Sequence, residues 1–217
     1  MRSTDVTAED AQFKLRAYCH LDRIQPQFAA FVGKIASGTP PIEGESTLYV
    51  EMVPGIWVYR ILDRVLKAVA VHPSAQLVER EFGMLAVHAF SQANVLRAGE
   101  VVLEALNLAI DDRLAPRIVS EHIITNIHPS QAQVLNRDNG GTMIEGGETL
   151  LVMECEPAAY INLAANEAEK AAQVSLNHLS SVGVFGRLWM SGSESEIMAA
   201  RNAAVAAMAS LTGRPSL

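Results

Sequence analysis

Sliding the chain along itself by 103 positions, without a gap, lays residues 13–111 on residues 116–214 with 18 identities in 99 pairs. Average residue usage gives roughly 6 such matches by chance. The matched positions include Ile24/Ile127, Pro26/Pro129, Gly38/Gly141, Gly44/Gly147, Glu51/Glu154, Pro54/Pro157, Lys67/Lys170, Ala68/Ala171, Phe82/Phe185, Gly83/Gly186 and Leu85/Leu188. Shared glycines and prolines mean shared turns, because these residues answer to backbone dihedrals before they answer to packing. One offset held over nearly the whole chain predicts two copies of one small domain. We divide the chain into a tail (1–12), a first domain (13–110), a linker (111–116) and a second domain (117–217).

A domain of about 100 residues buries barely enough surface to stand alone, so the copies are expected to pack against each other or against further subunits. Hydrophobic residues make up 49% of the 217-residue chain and charged residues 19%, with the apolar excess in alanine and valine. Small apolar residues suit close, extensive interfaces. No apolar run reaches the roughly 18 residues of a spanning helix, and the polar, acidic start MRSTDVTAEDAQ predicts a disordered tail and not a signal peptide. A net charge of −7, with basic residues scattered singly, argues against nucleic acid as a partner. Cys19 and Cys155 do not coincide under the repeat and form no CxxC, so they are read as reduced structural thiols.

Each copy reads as β-α-β-α-β-β-α. In copy one, Phe13–Leu21 alternates apolar and polar residues as a half-buried strand does. Pro26 suits the first turn of a short helix to about Ala36. Thr47–Val53 is a second strand, and Ile56–Ala70 keeps helical apolar spacing. Gln76–Glu81 and Met84–His88 are two strands meeting near Phe82-Gly83, and Ser91 is a plausible N-cap for a helix over Gln92–Leu106. Copy two gives strands at 117–124, 149–155, 176–182 and 186–190, and helices from Pro129, over 158–172 and over 194–211. The fold class is α+β, with helices on an antiparallel or mixed four-stranded sheet, an order that generic ferredoxin-like proteins share.

Catalytic patterns are missing. The sequence has no G-x-S-x-G, P-loop, G-x-G-x-x-G after a strand, or H-E-x-x-H. Its six histidines are dispersed, and Ser120, Glu121 and His122 alternate between opposite strand faces. Glu154 and Glu156 share a face, but Glu156 repeats Val53, so a structural or interfacial carboxylate is the better reading. No enzyme, cofactor or metal site is expected.

The stretch from Glu154 to Ala200 carries a pattern: E-x-x-P, a helix ending E-A-E-K-A-A-x-V, a strand into V-G-x-F-G-x-L, a G-S-E turn and an alanine-rich helix. With VEREFG (78–83), SEHIITNIHP (120–129), MIEGGETL (143–150) and ANEAEKAA (165–172), it resembles the shell proteins of bacterial microcompartments over residues 13–213. In that family this segment opens the domain and a strand of the type V-S-x-H-x-I closes it. Here Val119–Ile124 precedes the core, so each domain looks circularly permuted. Two tandem permuted domains resemble the gated trimeric shell proteins of carboxysomes.

The resemblance implies a structural tile of a cytoplasmic protein shell: a pseudo-hexameric homotrimer with a gated central pore for metabolites. It implies neighbouring shell hexamers and pentamers, and face-to-face stacking of two trimers. Loops ring the axis in this family, which makes Val78, Glu81, Phe82, Gly83, Val182, Gly183, Val184, Phe185 and Gly186 pore-lining and Glu79 with Arg80 the gate pair. Lys67 and Lys170 recur late in equivalent helices and fall where the family has its tile-edge lysine. The companion edge arginine falls at Arg23, but copy two has Asn126. Two rivals remain. An iron–sulfur shell trimer needs a cysteine in a pore loop, and neither 78–83 nor 181–186 has one. A ferredoxin-like trimeric regulator binding a small ligand explains the duplication but not the paired lysines.

Overall fold

The computed structural model describes residues 13–215. Copy one contains β1 (Lys14–Leu21), α1 (Pro26–Ile35), β2 (Ser46–Val53), α2 (Val58–Ala68), β3 (His72–Glu79), β4 (Phe82–Ala89) and α3 (Gln92–Leu106). Copy two contains β5 (Arg117–Ile124), α4 (Pro129–Asp138), β6 (Thr149–Glu156), α5 (Ile161–Ala171), β7 (Ser175–Ser180), β8 (Gly186–Gly192) and α6 (Glu194–Ala209). The two four-stranded sheets have the same order, β1-β2-β4-β3 and β5-β6-β8-β7, and every pairing is antiparallel.

Local chemistry explains the boundaries. Pro26 and Pro129 open α1 and α4, where a missing N–H leaves nothing unsatisfied. Ser91 caps α3 by accepting from the Asn94 N–H, as its position predicts. The run after Pro54 starts as a 3-10 turn, Gly55–Trp57, and becomes α-helical only at Val58. That turn lies so close to β4 that a Cβ on Gly83 would sit 2.2 Å from the Gly55 carbonyl oxygen. Gly186 is held equally tightly against Ala158 O, at 2.3 Å. The shared Phe-Gly pairs are therefore packing requirements.

Two sequence-based boundaries need correction. The copy-one hairpin turns at Arg80-Glu81, not at Phe82-Gly83, and β3 begins at His72, because Pro73 sits beside a register shift where its missing N–H is tolerated. In copy two, β7 stops at Ser180, leaving a five-residue loop, 181–185, opposite the two-residue turn of copy one.

The first sheet is covered on both faces. Leu15, Leu48, Val50, Met52, Leu85 and Val87 pack on α2 and α3. Cys19, Leu21, Tyr49, Met84 and Ala86 join one continuous core with α1, the second sheet and α5. The second sheet buries Leu151, Met153 and Cys155 within that core, while its opposite face carries α4 and a small cluster around Ile127, Ala132 and Leu150. Segment 111–116 is packed tightly: Arg113 is buried and donates to the carbonyls of Tyr18 and Thr212, and Leu114 bridges to Arg214.

Candidate functional site

The β3–β4 turn and the β7–β8 loop come together at one end of the molecule. Glu79, Arg80, Phe82, Val182, Gly183, Val184, Phe185 and Arg187 line a shared cleft of about 440 Å³. Glu79 pairs with Phe82 and Val78 with Gly83 across the hairpin, so Arg80 and Glu81 form the whole turn. Arg80 has φ of 55°, a left-handed conformation in which a branched or long side chain costs about 1–2 kcal/mol. Its repeat partner Gly183 has φ of 96° and carries no such cost. Arg80 and Glu79 are exposed and loosely paired, with Nε 3.8 Å from Oε1. The turn is strained at Arg80 and solvent-facing at its tip, while its Glu81 carbonyl accepts from the Gly55 N–H at 2.8 Å.

Directly beneath it lies the junction between the two copies. Glu51 is buried; its Oε1 accepts from Arg16 Nε at 2.5 Å and its Oε2 from the Ala159 N–H at 3.1 Å. The Arg16 guanidinium rests on the Phe82 ring, 4.0 Å from its centroid. Burial pushes the Glu51 carboxyl up, while Arg16 and the Ala159 N–H pull it back. Further along, Glu169 accepts from the N–H groups of Gln27 and Phe28 at 2.7 and 2.8 Å, closing the positive N-terminus of α1. Asn166 Oδ1 accepts from the Gln25 N–H, and its amide donates to the Arg23 carbonyl.

At the outer end of the same junction, Lys170 lies 3.8 Å from Asp22, next to Arg23. The structure thus brings the expected edge lysine of copy two beside the edge arginine of copy one. Lys67 is exposed on α2 and pairs with Asp63 at 2.7 Å. Asn126, exposed with φ of 50°, lines a separate shallow cavity with Gly147, Glu148 and Ser193. Both cysteines are buried free thiols, and burial pushes Cys19 up to about 12, which disfavours its reactive thiolate form.

The sequence reading missed Arg187, which lines the cleft and donates to Glu154 at 2.7 Å. The signal was in the repeat: Arg187 stands where copy one has the buried Met84.

Comparison with known proteins follows the same lines. Residues 15–112 match the family model described as the CsoS1D N-terminal domain. The chain is 47% identical to the carboxysome shell protein CcmP of Synechococcus elongatus, over 93% of this chain and 94% of that protein. It is 42% identical to the carboxysome shell protein CsoS1D of Hydrogenovibrio crunogenus, over 93% and 98% of the two chains. The chain belongs to the microcompartment shell proteins. Two solved structures agree. The fused permuted hexameric shell protein of the RMM microcompartment superposes with a TM-score of 0.89 at 35% identity, covering 92% of this chain and 98% of that one. The double ringed trimeric shell protein of the same compartment gives 0.91 at 37% identity, covering 94% and 100%. This shell protein is therefore a structural protein with two tandem permuted domains and not an enzyme.

Proposed function

We propose that this shell protein is a homotrimeric tile whose six domains ring a central pore, and that Glu79 and Arg80 gate the pore for small metabolites. One observation carries the trimer: the junction between copy one and copy two has a second, unfilled version. Adding or subtracting 103 converts each half of the closed junction into the other kind of domain. Ala159, fully buried, becomes Ile56, 65% exposed; Phe31, 6% exposed, becomes Val134 at 63%. Asn162, 1% exposed, becomes Tyr59 at 50%. Apolar and aromatic groups thus stand in water where the repeat says a partner belongs. Docking the α2 face of one chain on the α4 face of the next fills both, and repeating that heterologous contact through three chains gives a closed ring of six domains in this reading.

The ring places the 79–83 turns and the 181–186 loops around the axis, three charged turns alternating with three neutral loops. An exposed ion pair contributes about 0–1 kcal/mol, so three of them hold a closed state that ligand binding or packing can reverse. Lys67, Lys170 and Arg23 then lie on the rim and contact neighbouring shell hexamers and pentamers. The name of the double ringed trimeric relative supports stacking of two such rings.

The gate is tested by Glu79→Ala with Arg80→Ala. The double variant is expected to remain trimeric, and its structure to show a permanently wide opening. A trimer structure with both side chains on the outer rim refutes the gate and leaves a plain tile.

A further inference from the structure

The two junctions differ in step, and the difference assigns a partner to the gate. In the closed junction, Glu51, Glu79, Phe82, Gly83 and Met84 of copy one face Ser181, Val182 and Gly183 of copy two across a narrow crevice. Shifting every residue by 103 describes the junction between subunits. In the trimer proposed above, that junction sets Glu154, Val182, Phe185, Gly186 and Arg187 of one chain at the positions opposite Val78, Glu79 and Arg80 of the next. Where the facing loop is neutral, Val182-Gly183, the position opposite holds Met84. Where the facing turn is charged, Glu79-Arg80, the position opposite holds Arg187.

The carboxylate beneath the loop is common to both junctions, Glu51 and Glu154, but its cation has moved. Glu51 is served by Arg16 on β1, sealed under the Phe82 ring. The repeat position of Arg16 is Val119, so Glu154 is served instead by Arg187 on β8. That choice sets a guanidinium against the gate turn. Its side chain is 52% exposed, and the bond to Glu154 uses Nε alone of a fork with five N–H donors.

We propose that, in the trimer, Arg187 pairs with the partner subunit's Glu79, and that this pair competes with the pair Glu79 makes with Arg80 of its own turn. The inference rests on the trimeric reading above. Glu79 then has two cations within reach: Arg80, 3.8 Å away and in a strained backbone, and Arg187, fixed on a strand. Exchange of Glu79 between them moves the turn relative to the axis, so Arg187 acts as a positioning residue for the gate.

Zero-length coupling reads this contact directly. Arg187→Lys keeps the charge and supplies an amine that attacks a carbodiimide-activated carboxylate within contact distance, forming an amide and releasing the urea. Treating the full-length Arg187→Lys protein is expected to give covalent dimers and trimers on a denaturing gel. They should be absent from the identically treated unsubstituted protein, and the new cross-link should map to Glu79. Adding Glu79→Gln is expected to abolish those bands. If the native mass is that of a trimer and residue 187 couples only within its own chain, whether to Glu154 or to the Glu79 that lines the same cleft, the pairing is overturned while the trimer stands. A native mass of a monomer overturns the trimer, and the pairing with it.

Discussion

The closed junction inside the chain and the open one at its two flanks are built on the same backbone, and their side chains show what each has to do. Inside the chain, Glu169 captures two N–H groups at the start of α1, and Ala159 and Asn162 are small enough to vanish into the core. At the flank, the residue equivalent to Glu169 is Leu66, Ala159 becomes Ile56, and α4 caps itself, with Ser130 N–H donating to His128 Nδ1. A junction that forms once, during folding, can rely on buried polar bonds. The flank keeps its hydrogen bonds local and presents apolar groups instead, as suits the proposed interface, which stands in water before assembly.

Matched substitutions can break that comparison. Ala159→Asp puts an unpaired charge beside buried Glu51 and is expected to cost about 4 kcal/mol or more, so the chain should fail to fold by circular dichroism. Ile56→Asp at the equivalent flank position should leave the circular dichroism spectrum unchanged and convert trimers to monomers of 23.4 kDa in native mass measurements. If both variants fold and stay trimeric, the flank is not an interface.

Exchanging the helix-terminal carboxylate sharpens the same point. Glu169→Ala removes a charged acceptor from two N–H groups and is expected to lower chain stability by about 1 kcal/mol in urea titration. In the proposed trimer, Leu66→Glu puts a carboxylate opposite the α4 N-terminus of the neighbouring chain, and the dissociation constant measured by dilution is expected to fall about threefold to tenfold.

The turn residues give a smaller effect of opposite sign in the two copies. Arg80→Gly relieves the left-handed turn and should raise stability by up to about 1 kcal/mol, while Gly183→Ala, whose added Cβ meets nothing closer than Glu79 Cγ at 3.9 Å, should lower it by a similar amount. Equal responses in thermal unfolding would mean that the two loops are under the same strain. The smallest effect on folding belongs to Lys67→Ala and Lys170→Ala, expected within about 0.5 kcal/mol. Their consequence is weaker co-assembly with other shell proteins, seen as smaller sheets by electron microscopy.

Most of the architecture was legible because it is repeated: Pro26/Pro129, Gly44/Gly147 and the Phe-Gly pairs mark turns that no single copy would have located with certainty. The errors fell where local signals conflict with pairing. Pro73 hid the start of β3, and the strand-like residues Arg80-Glu81 and Ser181-Val182 hid a two-residue turn in copy one and a five-residue loop in copy two. Arg187 carried a signal in the repeat, a charged residue at the position of the buried Met84, but its role showed only once the strand carrying it was seen beside the turn.

By itself the sequence determined the duplication and the order of elements, since these follow from spacing and residue type along one dimension; the family and the permutation came from its resemblance to the shell proteins. Only the tertiary structure decided which copy of the junction is filled. It alone showed that Glu51 holds Arg16 and the Ala159 N–H, and that Arg80 turns in a backbone conformation suited to glycine. Those facts depend on contacts between residues up to 108 positions apart, as at Glu51 and Ala159. Such contacts are chosen by the packing of two sheets against each other, and no local run of residues encodes them.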